Sequence, residues 1–220
     1  IDSRGKIVMN KIVAVNFSCS PKSMQQRGIK LLNKFIPFHK IVNLGDFNIP
    51  ILDTNMADGN VPDSVIKFDK ALIDADAYIF FIAEMMGGYC GTFKNAMDWL
   101  VVKSNYDKDL NIPYSISHKP MFSVTFSPSY KNGGRHADEI KRLLKNFQVI
   151  HHGHIVYNHG WEKCVPDNYE WVQEGAENMY KTLSEPYEKK NKITEHTDVR
   201  TICKWLHLYE DWDKKWQDTE

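Results

Sequence analysis

The chain has 220 residues, of which 42% are hydrophobic and 25% charged, a balance typical of a soluble globular domain rather than of a disordered segment. Its 28 lysines and arginines match 28 aspartates and glutamates, so no net charge draws it to nucleic acid or to an anionic membrane. No apolar run is long enough to span a bilayer, and no apolar segment followed by small residues marks a secretory signal. We therefore expect a cytoplasmic protein that binds neither nucleic acid nor membranes.

Predicted strands and helices alternate along the chain. Apolar runs predict five strands, at 11–17, 40–44, 77–83, 120–126 and 149–157. Apolar residues at helical spacing predict five helices, at 24–36, 63–73, 91–102, 134–147 and 168–187. This alternation predicts an α/β fold, in which a parallel sheet carries helices on both faces. With a ligand-binding loop after the first strand, the flavodoxin-like, doubly wound strand order 2-1-3-4-5 fits best.

The loop after the first predicted strand, "SCSPKSMQQ" at 18–26, is rich in hydroxyl and amide side chains. It leads into a helix N-terminus, where free backbone N–H groups and the helix dipole favour an anion. It matches neither the G-x-x-x-x-G-K-[ST] nor the G-x-G-x-x-G pattern, which disfavours nucleoside triphosphates and a Rossmann dinucleotide site. Two interpretations remain open: a phosphate monoester bound by Ser18, Ser20 and Ser23, or plain helix capping by Ser23.

The loop after the third predicted strand, "AEMMGGYCG" at 83–91, is the second candidate ligand loop. Gly87 and Gly88 permit close backbone approach or positive φ, and ligands of open α/β sheets bind at the carboxyl ends of strands. Two such loops predict a mononucleotide site, and a flavin fits better than an adenine nucleotide because no metal-binding acid pattern is evident. Met85 and Met86 are expected either to pack on the flavin ring or to be core methionines.

Neither the cysteines nor the histidines predict a metal site. No C-x-x-C pair occurs, so we expect free thiols in a reducing cytoplasm at Cys19, Cys90, Cys164 and Cys203. The segment "HHGH" places His152 and His154 on one face of a regular strand, but two ligands are too few, so these histidines are expected at the surface or satisfied. Lys94 and Asp98 are four residues apart on a predicted helix and are expected to pair.

The two ends of the chain differ from the domain between them. The segment from Met9 resembles a natural start, so residues 1–8 are expected to be an expression remnant or a disordered lead, followed by the flavodoxin-like domain at 9–190. Residues 191–220 are predicted to form a helical extension that either packs on its own domain or docks on a partner subunit and closes over the flavin. Its apolar residues fall at helical spacing: Ile202, Trp205, Leu206, Tyr209, Trp212 and Trp216.

Residues 83–99 resemble a segment of the NADPH-dependent FMN reductases, a family of the flavodoxin-like superfamily. That segment runs close to P-E-Y-N-x-S-x-P-G-x-L-K-N-x-x-D-W, and six of its positions match here without a gap: Glu84, Gly91, Lys94, Asn95, Asp98 and Trp99. The family's first loop, G-S-x-R-x-x-S-x-N, matches at Ser18 and Ser23, whereas Ser20 replaces the arginine and Gln25 the asparagine. The third-strand loop departs from the family at Ala83, Met85 and Met86. The resemblance covers roughly residues 11–190.

The resemblance implies FMN as the cofactor and NADPH or NADH as the co-substrate, with no catalytic side chain because the flavin carries the chemistry. It also implies that backbone N–H groups at 85–88 stabilise negative charge on the reduced flavin, and that Glu84 is a structural or interface residue rather than a general base. The protein is expected to be a homodimer or homotetramer. The implied acceptor is a small molecule such as a flavin, quinone, azo dye or metal oxyanion. The cofactor-binding residues expected from the two loops and from the loop after the fourth strand are Ser18, Ser20, Ser23, Met24, Gln25, Ala83, Glu84, Met85, Met86, Gly87, Gly88, Ser127, Pro128, Ser129 and Tyr130.

Two other functions remain open on the sequence. One is an electron carrier that holds FMN but has no nicotinamide site. The other is a cofactor-free binding or scaffold protein, which the changed loop at 83–86 and the aromatic C-terminal segment would favour.

Overall fold

The computed structural model describes residues 11–53, 61–106, 114–128, 134–158 and 170–185. The expected lead at 1–8, the extension at 191–220 and the predicted site residues Ser129 and Tyr130 lie outside these ranges. The strands are β1 (Ile12–Asn16), β2 (Lys40–Asn43), β3 (Ala77–Phe81), β4 (Glu84–Met85), β5 (Gly88–Tyr89), β6 (Pro120–Phe126) and β7 (Ile150–Tyr157). The helices are α1 (Met24–Leu32), α2 (Asp63–Ile73), α3 (Gly91–Tyr106), α4 (Ala137–Asn146) and α5 (Glu170–Ser184), and a short 3₁₀ helix spans Leu44–Asp46.

Five strands form one parallel sheet in the order β2-β1-β3-β6-β7. Counted along the sheet alone, this is the predicted order 2-1-3-4-5, so the flavodoxin-like fold is confirmed. Chain order reverses direction across the sheet between β1 and β3, and this switch point is where such folds bind their ligands.

Helices cover both faces of the sheet, as predicted. On one face α2, α3 and α4 bury apolar side chains, among them Phe68, Phe93 and Leu144. On the other face α1 and α5 bury Ile29 and Met179, among others. The central strands β1, β3 and β6 are buried at every residue, as expected of a parallel sheet covered on both sides. No helix in the described ranges is both long enough and apolar enough to cross a membrane.

The predicted bounds of the helices and strands agree with the observed bounds where apolar residues recur at a clear period, and they differ near turns. Strand β6 and helix α2 have their predicted bounds. Helix α1 ends at Leu32, four residues earlier than expected, because the chain turns at Asn33 and the N–H groups of Phe35 and Ile36 both donate to Leu32. The predicted third strand ends at Phe81, and the short antiparallel pair β4–β5 that follows was not predicted.

Strand β7 contains an irregularity that changes which histidines share a face. Met121 pairs with His151, but the next residue, Phe122, pairs with Gly153, so one extra residue is inserted in β7. His151 and His154 therefore both reach the Ser123 hydroxyl, at 2.9 and 2.7 Å. His152 instead stacks on Phe122, with ring centroids 5.6 Å apart. The expectation that His152 and His154 share a face is wrong, because the bulge breaks the two-residue period.

Candidate functional site

Three loops leave the sheet on the same edge and form the candidate site. Asn16 at the end of β1 lies opposite Phe81 at the end of β3, and β6 runs beside β3 in the same direction. Loop 1 (17–23), the β4–β5 hairpin and the segment after β6 therefore start close together at the switch point. Loop 1 is tied to β3 by its first residue, since the Phe17 N–H donates to the Phe81 carbonyl at 3.0 Å.

Loop 1 presents hydroxyl groups whose hydrogens remain free to donate. Ser23 caps α1, and its oxygen accepts from the Gln26 N–H at 3.1 Å, so the predicted capping role is confirmed. The oxygens of Ser18 and Ser20 accept from backbone N–H groups two residues on, both at 3.4 Å. A hydroxyl that accepts one bond retains its own hydrogen as a donor. Capping and anion binding are therefore compatible, since the hydroxyls and the N-terminus of α1 supply donors without a charged side chain.

Gln25, a predicted cofactor-binding residue, uses its side chain to hold loop 1 against β6. Its carboxamide donates to the Phe126 carbonyl at 3.1 Å and accepts from the Phe126 N–H at 3.0 Å. The residue is only 2% exposed. Beyond Val124, β3 no longer pairs with β6, so the Gln25 amide takes the place of a neighbouring strand at Phe126. The first residue of α1, Met24, is half-buried against the apolar cluster beneath the helix.

The β4–β5 hairpin places residues 84–89 above the sheet. Glu84 pairs with Tyr89 and Met85 with Gly88, and the turn residues Met86 and Gly87 have φ values of 52° and 81°. Two central residues with positive φ define the type I′ turn that suits a two-residue hairpin. The two methionines are 62% and 103% exposed, so the interpretation of them as core methionines is wrong. Ala83 precedes the hairpin, and its carbonyl accepts from the Cys90 N–H at 2.9 Å.

The hairpin is joined to the loop after β6 through a carboxylate. Glu84 accepts from the Gly134 N–H at 3.3 Å, which makes it a bridge between the two loops. At the start of the same loop, Ser127 is fully buried and Pro128 is exposed. The Ser127 N–H donates to the Tyr157 carbonyl at 2.9 Å, so its backbone is anchored to β7.

The most specific part of the family-like segment holds a fourth loop in place, a role that the sequence did not reveal. Asn95 donates to the Pro50 carbonyl and accepts from the Leu52 N–H, both at 2.8 Å. The Trp99 indole N–H donates to the same Pro50 carbonyl at 2.8 Å. The segment 50–52 is thereby fixed beside the N-terminus of α3. The K-N-x-x-D-W pattern in the sequence marks Asn95 and Trp99, but it does not show that their partners are the backbone groups at 50–52.

The other two members of that pattern pair as predicted. Lys94 and Asp98 form an ion pair at 2.5 Å on the exposed side of α3. Thr92, two residues before Lys94, donates to the Phe17 carbonyl at 2.6 Å and so links α3 to loop 1. These contacts fix the start of α3 relative to loop 1.

Three histidines contact polar side chains of β6 inside the protein rather than in the candidate site. The Ser123 hydroxyl bridges His151 and His154, and His136 shares a hydrogen bond of 3.1 Å with Thr125. Burial, together with nearby imidazoles, lowers the pKa of His154 to about 3, so this ring is neutral at physiological pH. Within the described ranges, no group of three or more histidine, cysteine or acidic side chains is arranged to hold a metal. The two cysteines described, Cys19 and Cys90, are free thiols.

Loop 1 offers donors that suit a phosphate, and the hairpin offers an exposed apolar surface that suits a flat ring. Donors without charge gather at the first position, and a backbone turn with exposed apolar side chains stands at the second. Ring contacts of methionine sulfur and phosphate contacts of a helix N-terminus are both known to be favourable. The fold and the site therefore define a flavodoxin-like, mononucleotide-binding protein.

A family model described as NADPH-dependent FMN reductase matches residues 10–162. The match covers most of the chain, and the chain belongs to this family. It is accordingly an oxidoreductase that uses FMN as cofactor and NAD(P)H as electron donor. A search of curated proteins finds no match.

Solved structures of similar fold include several flavoenzymes. The FerB NAD(P)H:(acceptor) oxidoreductase of Paracoccus denitrificans is 16% identical with a TM-score of 0.59, covering 80% of this chain and 95% of that one. The NAD(P)H:quinone oxidoreductase of Methanothermobacter marburgensis is 11% identical with a TM-score of 0.57, covering 82% and 99%. An FMN-dependent NADH-azoreductase of Bacillus anthracis, solved with FMN, is 12% identical with a TM-score of 0.51, covering 80% and 100%. At these identities the likeness establishes the fold alone.

Proposed function

We propose that the protein passes electrons from NAD(P)H through bound FMN to a small acceptor, namely a flavin, a quinone or an azo compound. The observation that carries this proposal is the pairing of free hydroxyl donors in loop 1 with the exposed type I′ hairpin at the switch point. Similar structures described as acceptor, quinone and azo reductases support the choice of acceptor classes. FMN, when bound, accepts a hydride and delivers electrons onward.

Loop 1 binds the phosphate and the hairpin binds the ring. The hydroxyls of Ser18, Ser20 and Ser23 donate to phosphate oxygens, and the first N–H groups of α1, at Met24 and Gln25, add to them. Backbone N–H groups of the hairpin face the polar edge of the ring and favour negative charge there. Met85 and Met86 offer apolar contact to the ring.

The segment after β6 completes the site. Glu84 keeps the hairpin against this segment through Gly134, and the exposed Pro128 contributes a contact from it. Since no side chain is needed as a nucleophile or a proton donor to the flavin, each of these residues has a binding or positioning role.

A visible absorbance spectrum tests the proposal. Purified protein is mixed with FMN, desalted and then reduced anaerobically with NADPH or NADH. Retained yellow colour that bleaches with a nicotinamide supports the reductase. Colour that neither nicotinamide bleaches indicates an electron carrier, and loss of all flavin on desalting overturns FMN binding.

Ser20→Ala is expected to raise the Kd for FMN about tenfold, because a hydrogen bond to a charged group is lost. Ser184→Ala, at the exposed end of α5, is the matched control.

We also propose that the protein is a cytoplasmic homodimer or homotetramer. Three apolar side chains near the site, Ile51, Met85 and Met86, are more than half exposed, which favours their burial between subunits. Light scattering after size-exclusion chromatography measures the mass. A monomer over the micromolar range would contradict the assembly.

A further inference from the structure

A second depression, of about 340 Å³, lies on the side of α1 that faces away from β6. Gln25 and Gln26 are neighbours on α1 and point to opposite sides. Gln25 reaches Phe126 of β6, whereas Gln26 and Lys30 line the depression together with Asn43 and Asp46 near the end of β2. Loop 1 forms a further wall of this depression, which we call the β2-side cavity, so the cavity lies beside the proposed phosphate position; the loop residues that line it are Ser18, Cys19, Ser20 and Pro21.

A hydrogen-bond network fixes the polarity of the floor of the β2-side cavity. The Ser18 N–H donates to Asn16 Oδ1 at 3.0 Å, so the Asn16 amide must point its NH₂ group the other way. That NH₂ group donates to Gln26 Oε1 at 2.9 Å and to Asn43 Oδ1 at 3.3 Å. The side-chain oxygens of Gln26 and Asn43 therefore both point toward Asn16. This orientation leaves the NH₂ group of Gln26 available as a donor.

The two walls of the β2-side cavity consequently differ in character. The α1 wall presents the Gln26 NH₂ group and, one turn later, the exposed ammonium of Lys30. Within the described ranges Lys30 has no ion-pair partner. The opposite wall presents the Asp46 carboxylate, an acceptor that Asn43 holds at 3.5 Å. A ligand that fits both walls carries an anionic group beside a hydroxyl group.

We infer that the β2-side cavity binds the phosphorylated ribose at the adenosine end of NADPH. The 2′-phosphate contacts Lys30 and Gln26, and the adjacent ribose hydroxyl donates to Asp46. A cavity of this size, near the lower limit for ligand pockets, holds a ribose phosphate rather than a whole dinucleotide. The inference rests on the proposed reductase function and adds to it a residue that selects NADPH over NADH.

Steady-state kinetics of the FMN-loaded protein test this inference. Lys30→Gln is expected to raise the KM for NADPH about tenfold, because a charge-assisted hydrogen bond is lost, while the KM for NADH and the Kd for FMN stay within about twofold. Lys30→Arg keeps the charge and is expected to retain NADPH selectivity. Lys34→Gln is the matched control, since it removes an exposed lysine of the same segment that does not line the cavity.

Three kinetic results overturn the inference: no change in either KM, an equal rise for both nicotinamides, or a weaker FMN affinity. The last would mean that the β2-side cavity is part of the flavin phosphate site. If the wild-type protein oxidises neither nicotinamide, the reductase proposal fails and calorimetry decides on the cavity alone. Binding of adenosine 2′,5′-bisphosphate that Lys30→Gln abolishes would support a 2′-phosphoribose site. Tighter binding of ribose 5-phosphate would assign the cavity to a free sugar phosphate, and no binding of either would overturn it.

Discussion

Replacing Gln25 by methionine separates a structural role of loop 1 from a direct role in cofactor binding. The Gln25 carboxamide makes two hydrogen bonds to one peptide, the N–H and carbonyl of Phe126, where β6 has lost β3 as its neighbour. Methionine has a similar length and no hydrogen-bonding amide. The substitution therefore keeps the volume and leaves both polar groups of a buried peptide without their partner.

The expected cost follows from the number of groups left unpaired. Each buried donor or acceptor without a partner costs about 1–3 kcal/mol, and partial relaxation of the loop brings the sum for two groups to about 2–4 kcal/mol. For a domain of this size such a loss lowers the Tm by about 4–16 °C. Because a domain is stable by only about 5–15 kcal/mol, the variant is expected to fold with a visibly reduced margin.

Urea denaturation followed by circular dichroism measures this loss, with FMN titration in parallel at a temperature where the variant is folded. Gln173→Met on the exposed face of α5 is the control, since within the described residues its amide bonds Glu177 of the same helix, and it should change stability by less than about 0.5 kcal/mol. A Gln25→Met variant as stable as the control would refute the strand-replacement argument. Unchanged stability with weakened FMN binding would instead show that the side chain contacts the cofactor directly.

Three further substitutions test other features of the fold. Met86→Asn is expected to stabilise the flavin-free monomer by about 0.5–1 kcal/mol in urea, because Asn-Gly suits a type I′ turn and Met86 is fully exposed within its own chain; an unchanged midpoint would contradict the turn assignment. Asp69→Asn is expected to cost about 3–5 kcal/mol, since it removes the carboxylate that pairs with Lys103, whose side chain is only 14% exposed. Asp98→Asn, on the exposed pair, should cost less than about 1 kcal/mol; equal costs would argue against a buried pair. For His154, the pKa of about 3 lies below the ordinary 6.5, so the folded chain binds fewer protons than the unfolded chain. The contribution of neutral His154 to the free energy of unfolding is full above pH 6.5, and it falls by about 1.4 kcal/mol per pH unit as the pH drops toward 3. His154→Phe is expected to flatten the stability profile in that window, and parallel profiles would show that another group is responsible.

The sequence was sufficient for the order of the sheet and for the edge of the sheet at which the candidate loops lie. Strand β6 and helix α2 were predicted with their observed bounds, because unbroken apolar runs and helical periods record burial directly in residue type. The alternation of these elements then leaves few ways to build a parallel sheet. The loops at the ends of β1 and β3 follow from that topology, whatever their detailed conformation.

Features that depend on which residues meet in the folded chain could not be predicted in this way. The face of His152 changed because β7 contains one extra residue relative to β6, and pairing register is a property of two strands. The exposure of Met85 and Met86 follows from a two-residue turn that the "MMGG" segment allows without requiring it.

The sequence thus determined which residues are apolar, in what period, and where hydroxyls and glycines interrupt them. This pattern specified the fold and the edge of the sheet at which the candidate loops lie. The tertiary structure alone decided which partners the polar side chains take. Gln25 was expected to contact a cofactor, yet its amide holds Phe126, a residue distant in sequence. Asn95 and Trp99 formed a recognisable pattern, yet only folding brings the Pro50 carbonyl within 2.8 Å of each of them. Hydrogen bonds are short-ranged and directional, so they are settled only when the long-range packing that creates them is in place.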